Sequence, residues 1–353
     1  METIIYRVED VERDKEAVEK AGQVLRQGGL VGMPTETVYG LAADATQPEA
    51  VKHIFEAKGR PQDNPLIVHI ADFDQVERYT KDISEDAWKL MHAYWPGPMT
   101  VILKKKDIIP EVVSCGLDTI GLRMPSHPVA RALIRASGTA LAAPSANTSG
   151  RPSTTTAQHV YEDLHGRIDM ILDGGPCDIG VESTVIDMSG GVPTLLRPGG
   201  ISLEQLQAVL PEVQVDKCIY STVTGDKKVR SPGMKYKHYA PHAPVTILLG
   251  PDEAIRAYVW EKLKTSGARG EKVGVLCYSE TTGDYTSYDN AVVLPLGSRY
   301  SKEDIAHHLF AQLRAFDDTE VKEIYANCPD STGLGLAVVN RLSKAAGFHI
   351  IQL

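Results

Sequence analysis

Short apolar runs recur along this chain, several of them stopped at once by proline, and helix-like stretches lie among them. Leu30–Met33, Leu66–Ile70, Thr100–Leu103, Ile120–Met124, Ala140–Ala143 and Thr184–Met188 read as buried strands. Before the first of them, Asp14 is placed to cap a helix with Val18, Ala21, Val24 and Leu25 on its apolar face. Gly28-Gly29 ends that helix, and Pro48 opens a second one running to about Lys58. Alternation of this kind commits a chain to an α/β architecture, in which ligand sites form where strands end.

The pattern resumes from Val245. Val245–Leu249, Lys272–Cys277, Ala291–Leu294 and Glu323–Ala326 read as strands, with helical patterns over Ser301–Phe316 and Leu336–Ala346. This predicts a smaller, doubly wound α/β domain. Between the two patterns, residues 211–243 are polar and lack periodicity. A stretch that long is a lid or a solvated linker. Lys235, Tyr236, Lys237, His238 and Tyr239 suit ligand contact, which favours the lid. The expected division is 1–210, 211–243 and 244–353. At 353 residues, two domains are also the natural expectation.

The formal net charge of -9 argues against a general nucleic-acid or membrane binder, so an anion site has to be a local pocket. No window is long and apolar enough to span a bilayer, and Met1–Asp10 lacks the apolar core of a signal peptide. Five scattered cysteines with no C-x-x-C spacing support neither a zinc knuckle nor a disulfide framework. They fit free thiols in a reducing cytoplasm.

The polar groups that carry chemistry sit at strand boundaries. Pro34-Thr35-Glu36-Thr37-Val38-Tyr39-Gly40-Leu41 places two hydroxyls, a carboxylate and a phenol on one tight loop. It suits recognition of a small polar substrate, or simply a capped turn. Lys58 and Arg60 project past the end of a helix, followed by Gln62 and Asn64 in a proline-bounded turn. Helix-dipole pairing accounts for one cation but not for both, and paired cations in a rigid loop suit phosphate. His69 ends a strand, where a satisfied buried histidine is the plainer reading than a base. Arg123 lies in an apolar strand and needs a partner: a substrate carboxylate held by two parallel bonds, or an internal Asp or Glu. Ser145, Asn147 and Ser153 crowd hydrogen-bonding groups into one loop. Glu182-Ser183 and Arg197-Pro198-Gly199 repeat the scheme. Glu182 and Asp187 are carboxylates near phosphate-binding candidates, but no protein metal ligand is assigned. The Walker A, H-E-x-x-H, G-x-S-x-G and G-x-G-x-x-G patterns are absent. Gly333-Leu334-Gly335 reads as a turn into the last helix, and His307-His308 as a surface pair.

Together these segments resemble the threonylcarbamoyl-AMP synthase family, with its YrdC-like catalytic domain. The matching pieces are the Pro34–Leu41 loop, Lys58-Gly59-Arg60, Ser145-Ala146-Asn147, Glu182–Asp187, Leu195–Gly199 and the run Ser231–Pro241, which looks like the linker of the two-domain form. Each motif is weak alone; jointly they span nearly the whole chain. The resemblance implies a YrdC-like twisted open mixed sheet with helices, followed by a Rossmann-like C-terminal domain. It implies an ATP-dependent nucleotidyltransferase joining L-threonine and bicarbonate or CO₂ to AMP, with Mg²⁺ accompanying ATP. Its product would serve N6-threonylcarbamoyladenosine formation at position 37 of ANN-decoding tRNAs, through separate tRNA-modifying transferase proteins. Direct tRNA contact would be weak. Lys58, Arg60, Gln62, Asn64, Ser145, Asn147, Ser153, Arg197 and Tyr239 are then expected at the nucleotide. Thr35, His69, Thr119, Arg123, Ala143 and Ser183 are expected at threonine, with Lys58, Arg60 and Arg123 carrying the chemistry. A structured-RNA-binding module and a synthase for another carbamoyl-adenylate stay open as alternatives.

Overall fold

The computed structural model describes residues 2–220 and 239–353. Among these, the chain divides into two compact units, one of residues 2–149 and 153–220, the other of 150–152 and 239–353. The expectations placed on Tyr236, Lys235, Lys237 and His238 lie outside the described residues.

The first unit is built on β1 (Ile4–Arg7), β2 (Val31–Met33), β3 (Gly40–Asp44), β4 (Ile67–His69), β5 (Thr80–Lys81), β6 (Met99–Lys105), β7 (Thr119–Arg123), β8 (Leu141–Ala142), β9 (Met170–Asp173), β10 (Thr184–Asp187), β11 (Thr194–Arg197) and β12 (Gln214–Val215). They form one mixed sheet in the order β1-β9-β2-β3-β8-β4-β7-β6-β10-β11-β12, with β5 beside β6. β2 and β3 pair antiparallel, so the Pro34–Tyr39 segment is a hairpin loop rather than a turn into a helix. Val18, Ala21 and Leu25 of the helix Lys15–Arg26 are buried together with Val31, Leu133 and Leu172. Asp14 stands at that helix's N-cap, yet its carboxylate accepts from the backbone of Glu9 and Asp10 instead of capping the first turn. The helix Pro48–Lys58 starts at its proline and stops at Gly59, whose φ of 62° is the left-handed conformation that favours glycine. Regular structure also enters the stretch read as aperiodic, because β12 pairs parallel with β11 through Thr194 and Leu195.

The second unit holds β13 (Val245–Leu249), β14 (Lys272–Tyr278), β15 (Ala291–Gly297), β16 (Val321–Asn327) and β17 (Ile350–Gln352) in a wholly parallel sheet ordered β15-β14-β16-β13-β17. The helices Asp252–Gly267, Lys302–Ala315 and Gly335–Ala345 fall between the strands in sequence, as parallel crossovers require. This is the Rossmann-like arrangement expected, except that β16 stands between the first and second strands. His307 and His308 are half-buried and stack edge to face, so they are not a plain surface pair. Among the described residues no helix is long and apolar enough to cross a membrane.

Candidate active site

Strand pairing in the first unit lines up residues that are far apart in sequence. His69 on β4 is the register partner of Arg123 on β7, Arg123 of Thr100 on β6, Thr100 of Val185 on β10, and Val185 of Arg197 on β11. Register partners put their side chains on the same face of a sheet. One row across five strands, about 19 Å at the usual strand spacing, therefore carries His69, Arg123, Thr100 and Arg197 on one face. Thr119 shares that face at the other end of β7, four residues and about 13 Å from Arg123.

Arg123 finds the internal partner that a buried guanidinium needs. Its Nη2 donates to Glu36 Oε1 at 2.6 Å, and both side chains are almost fully buried. The hairpin loop that carries Glu36 is folded by Thr35. The Thr35 hydroxyl donates to Val38 O at 2.6 Å and accepts from the Thr37 and Val38 backbone amides. Thr35 is thereby committed to shaping its own loop. Glu36 Oε2, Arg123 Nε and His69 Nδ1 are buried and have no hydrogen-bond partner. Burial, and then the charge of Arg123, push His69 down to about 3, so its ring is neutral at physiological pH.

At the other end of the row, Arg197 Nε donates to Ser183 O and its Nη2 to Ser183 Oγ, both at 3.1 Å. Ser183 Oγ shares a further hydrogen bond of 2.8 Å with Thr100 Oγ1. Thr100 was not singled out from sequence, although a lone hydroxyl at the head of the apolar run Thr100–Leu103 was the available signal. Beside Ser183, Glu182 accepts from Ser153 Oγ at 2.5 Å. Asp187 accepts from the Ser189 amide and hydroxyl, closing a turn.

Lys58 reaches away from its helix into the Ser145–Asn147 loop. Its Nζ donates to the carbonyl oxygens of Ser145 and Asn147, each at 2.5 Å. Burial and the neighbouring Arg60 guanidinium hold the Lys58 ammonium well below its ordinary range; the charges of Asp163 and Glu182 oppose this. Arg60 is half-buried, donates to Asn64 O at 2.9 Å and lies over the Phe55 ring. Gln62 is exposed, whereas Asn64 is buried with its Oδ1 unpartnered. The Ala143 amide is used by Ile67 O, which ties the Ser145 loop to β4. Tyr239 lies in the second unit, buried against Phe310 with Arg341 over its ring. Arg151 also belongs to that unit and pairs with Asp317 at 3.2 Å. Among the described residues no group of three or more His, Cys, Asp or Glu gathers as a metal site would.

Residues 23–199 match the Sua5/YciO/YrdC family model, described as "Telomere recombination", and residues 201–347 match the C-terminal domain of threonylcarbamoyl-AMP synthase. The threonylcarbamoyl-AMP synthase of Pyrococcus abyssi is 47% identical over 352 residues, 99% of this chain and 100% of that protein. The chain belongs to the threonylcarbamoyl-AMP synthase family. The Bacillus subtilis member is 48% identical over 336 residues, 95% of this chain and 94% of its own length. Among solved structures, Pyrococcus abyssi Sua5 complexed with L-threonine superposes with a TM-score of 0.92 at 46% identity, covering 100% of each chain. Escherichia coli YciO matches at a TM-score of 0.50 and 24% identity, over 56% of this chain and 95% of its own, which speaks for the fold of the first unit.

Proposed function

We propose that this protein condenses L-threonine, bicarbonate or CO₂, and ATP into L-threonylcarbamoyl-AMP and pyrophosphate, acting as a nucleotidyltransferase. The observation that carries this is full-length similarity to family members of that name, one of them solved with L-threonine. The row that carries the Arg123 and Arg197 guanidiniums on one sheet face, with a neutral His69 beside them, supports it, because the reaction needs fixed positive groups more than a nucleophile. Threonine's free amine adds to CO₂, and a carbamate oxygen then attacks the α-phosphorus as pyrophosphate leaves. A carboxylate, a carbamate and a triphosphate have to be brought together, so positioning and charge neutralisation supply the catalysis.

In this reading Arg123, Ser183 and His69 face threonine, His69 as a neutral hydrogen-bonding group, with Thr35 shaping the loop beside them. Thr119 and Ala143 border that end. Lys58, Arg60 and Arg197 face the phosphates, with Ser145, Asn147, Ser153, Gln62 and Asn64 around the nucleotide. Mg²⁺ enters as MgATP, part of the substrate. The first unit is the catalytic domain, and the intermediate passes to separate tRNA-modifying proteins in the cytoplasm. The test is pyrophosphate release by pure protein supplied with MgATP, labelled bicarbonate and each amino acid in turn. Release that depends on both L-threonine and bicarbonate is the expected result. Release without either, or stabilisation by RNA alone, would overturn the reading.

A further inference from the structure

The buried pair of Glu36 and Arg123 is incomplete in a specific way. A carboxylate can accept about four hydrogen bonds and a guanidinium can donate five. Glu36 Oε1 and Arg123 Nη2 satisfy each other, while Glu36 Oε2 and Arg123 Nε have no partner although both residues are only 4% exposed. His69 Nδ1, on the residue in register with Arg123, is bare as well. Unpartnered polar atoms are uncommon in protein interiors, and three in one connected cluster ask for an explanation. Elsewhere in the first unit Asn64 Oδ1 and Thr154 Oγ1 are bare too, but each belongs to a neutral side chain, whereas here the bare atoms sit on a carboxylate and a guanidinium that already face each other.

The bare atoms define what would complete them. One sits on a full anion and can only accept; another sits on a full cation and can only donate. Their complement carries an ammonium and a carboxylate on one small skeleton. A zwitterion also adds no net charge to the buried pair, which avoids the penalty of bringing an unmatched ion into a dry site. We propose that Glu36 reads the α-ammonium of the amino-acid substrate, and that with Arg123 it makes the site selective for α-amino acids over 2-hydroxy acids of the same skeleton. This rests on the assignment of L-threonine as substrate. The contact survives the chemistry: the ammonium gives one proton to solvent to become the attacking amine, a second proton leaves to solvent as the N–C bond to CO₂ forms, and the carbamate nitrogen keeps one N–H to donate to Oε2. Glu36 is then a binding residue of the reaction and more than the structural partner of Arg123.

Calorimetric titration of the full chain with L-threonine, and separately with its 2-hydroxy analogue 2,3-dihydroxybutanoate, tests this. The wild type should prefer threonine by about 100-fold or more, since a buried charged acceptor left unpaired penalises the analogue. Glu36→Gln should lose about 10- to 100-fold in threonine affinity, leave the analogue nearly unchanged, and so bring the ratio close to one. Its ATP affinity should stay at the wild-type value, which reports an intact fold. Glu36→Asp, which keeps the anion, should retain most of the selectivity. Loss of both ligands to the same degree in a folded Glu36→Gln protein would make the residue merely structural, and an unchanged ratio would equally overturn the proposal. If the wild type binds no L-threonine, the substrate assignment itself falls, and this inference with it.

Discussion

His69 and Arg123 are register partners on the neighbouring strands β4 and β7, and burial together with that adjacency keeps the histidine neutral. A buried imidazole beside a guanidinium cannot readily take a proton, which is why its titration moves from 6.5 to about 3. Below pH 6.5 the unfolded chain binds this proton and the folded chain does not. The stability contributed is therefore complete above 6.5 and is lost progressively as pH falls toward 3, by about 1.4 kcal/mol per pH unit. Denaturant titrations between pH 4 and 6.5 should show this slope reduced in His69→Gln by that amount. An identical slope in both proteins would mean that His69 titrates normally.

Lys58 gives a prediction of opposite chemistry. Its ammonium is buried on two carbonyl oxygens with Arg60 nearby, and these outweigh the more distant charges of Asp163 and Glu182, so its titration is lowered. A triphosphate arriving beside it would favour the charged form. ATP binding should raise the Lys58 titration back toward its ordinary range, so across that titration the binding enthalpy of the wild type should vary with the ionisation enthalpy of the buffer. Lys58→Arg, which stays charged throughout, should show no such dependence. Lys58→Ala should lower kcat/KM for pyrophosphate release by about 100-fold, the usual loss for one electrostatic group at a reacting phosphate.

Ser183 is the joint between two strands of the row. Its Oγ meets both Thr100 and Arg197, so Ser183→Ala removes two buried hydrogen bonds at once. A loss of about 1–3 kcal/mol in unfolding free energy is expected, because Thr100 and Arg197 each lose a partner in the interior. If Ser183 also faces threonine, KM for threonine should rise about 10-fold or more while KM for ATP holds. Thr100→Val should reproduce the stability loss with a smaller effect on threonine. Equal effects of both substitutions on KM would show that Ser183 acts only through the strand pairing.

Much of the architecture was legible because local chemistry and tertiary structure agree. Val245–Leu249 was read to the residue, since an apolar run stopped by Gly250-Pro251 has one local solution. The Pro48–Lys58 helix was equally plain, with proline at its start and a left-handed glycine at its end. Among the segments that escaped, β1 and β3 owe their strand character to their neighbours, whereas β9 was missed although its Met170-Ile171-Leu172 run is apolar and buried. β1 carries exposed Ile4 and Ile5 and is held at the edge by β9 alone, while β3 is built from small residues that carry little β preference of their own. In the site, the residue types could be read but their pairings could not. Arg123 meets Glu36 across 87 residues, and Lys58 meets Asn147 across 89. No local pattern encodes contacts of that range. The buried arginine announced only that some partner had to exist.

Gly199 ends the Arg197-Pro198-Gly199 run, and its lack of a side chain has a reason unrelated to turn geometry. A methyl group there would lie 2.2 Å from Thr184 N and 2.4 Å from Glu182 O, inside the backbone that carries Ser183. Those neighbours are main-chain atoms and cannot swing aside. Gly199→Ala should therefore push β10 away from the Arg197 strand, breaking the bonds of Arg197 to Ser183. Overpacking of this kind costs about 1–3 kcal/mol where the surroundings can shift, and more where they are main chain. The expected result is a fall in melting temperature of several degrees, together with loss of threonine binding if Ser183 faces threonine as proposed, since the same displacement moves Ser183. Gly175→Ala supplies the contrast: at that position no heavy atom comes within 4 Å, and the strain comes only from its φ of 87°. It should lose stability while keeping threonine affinity. A Gly199→Ala protein that binds threonine as the wild type does would show that the approach of these two segments is not what holds Ser183 in place.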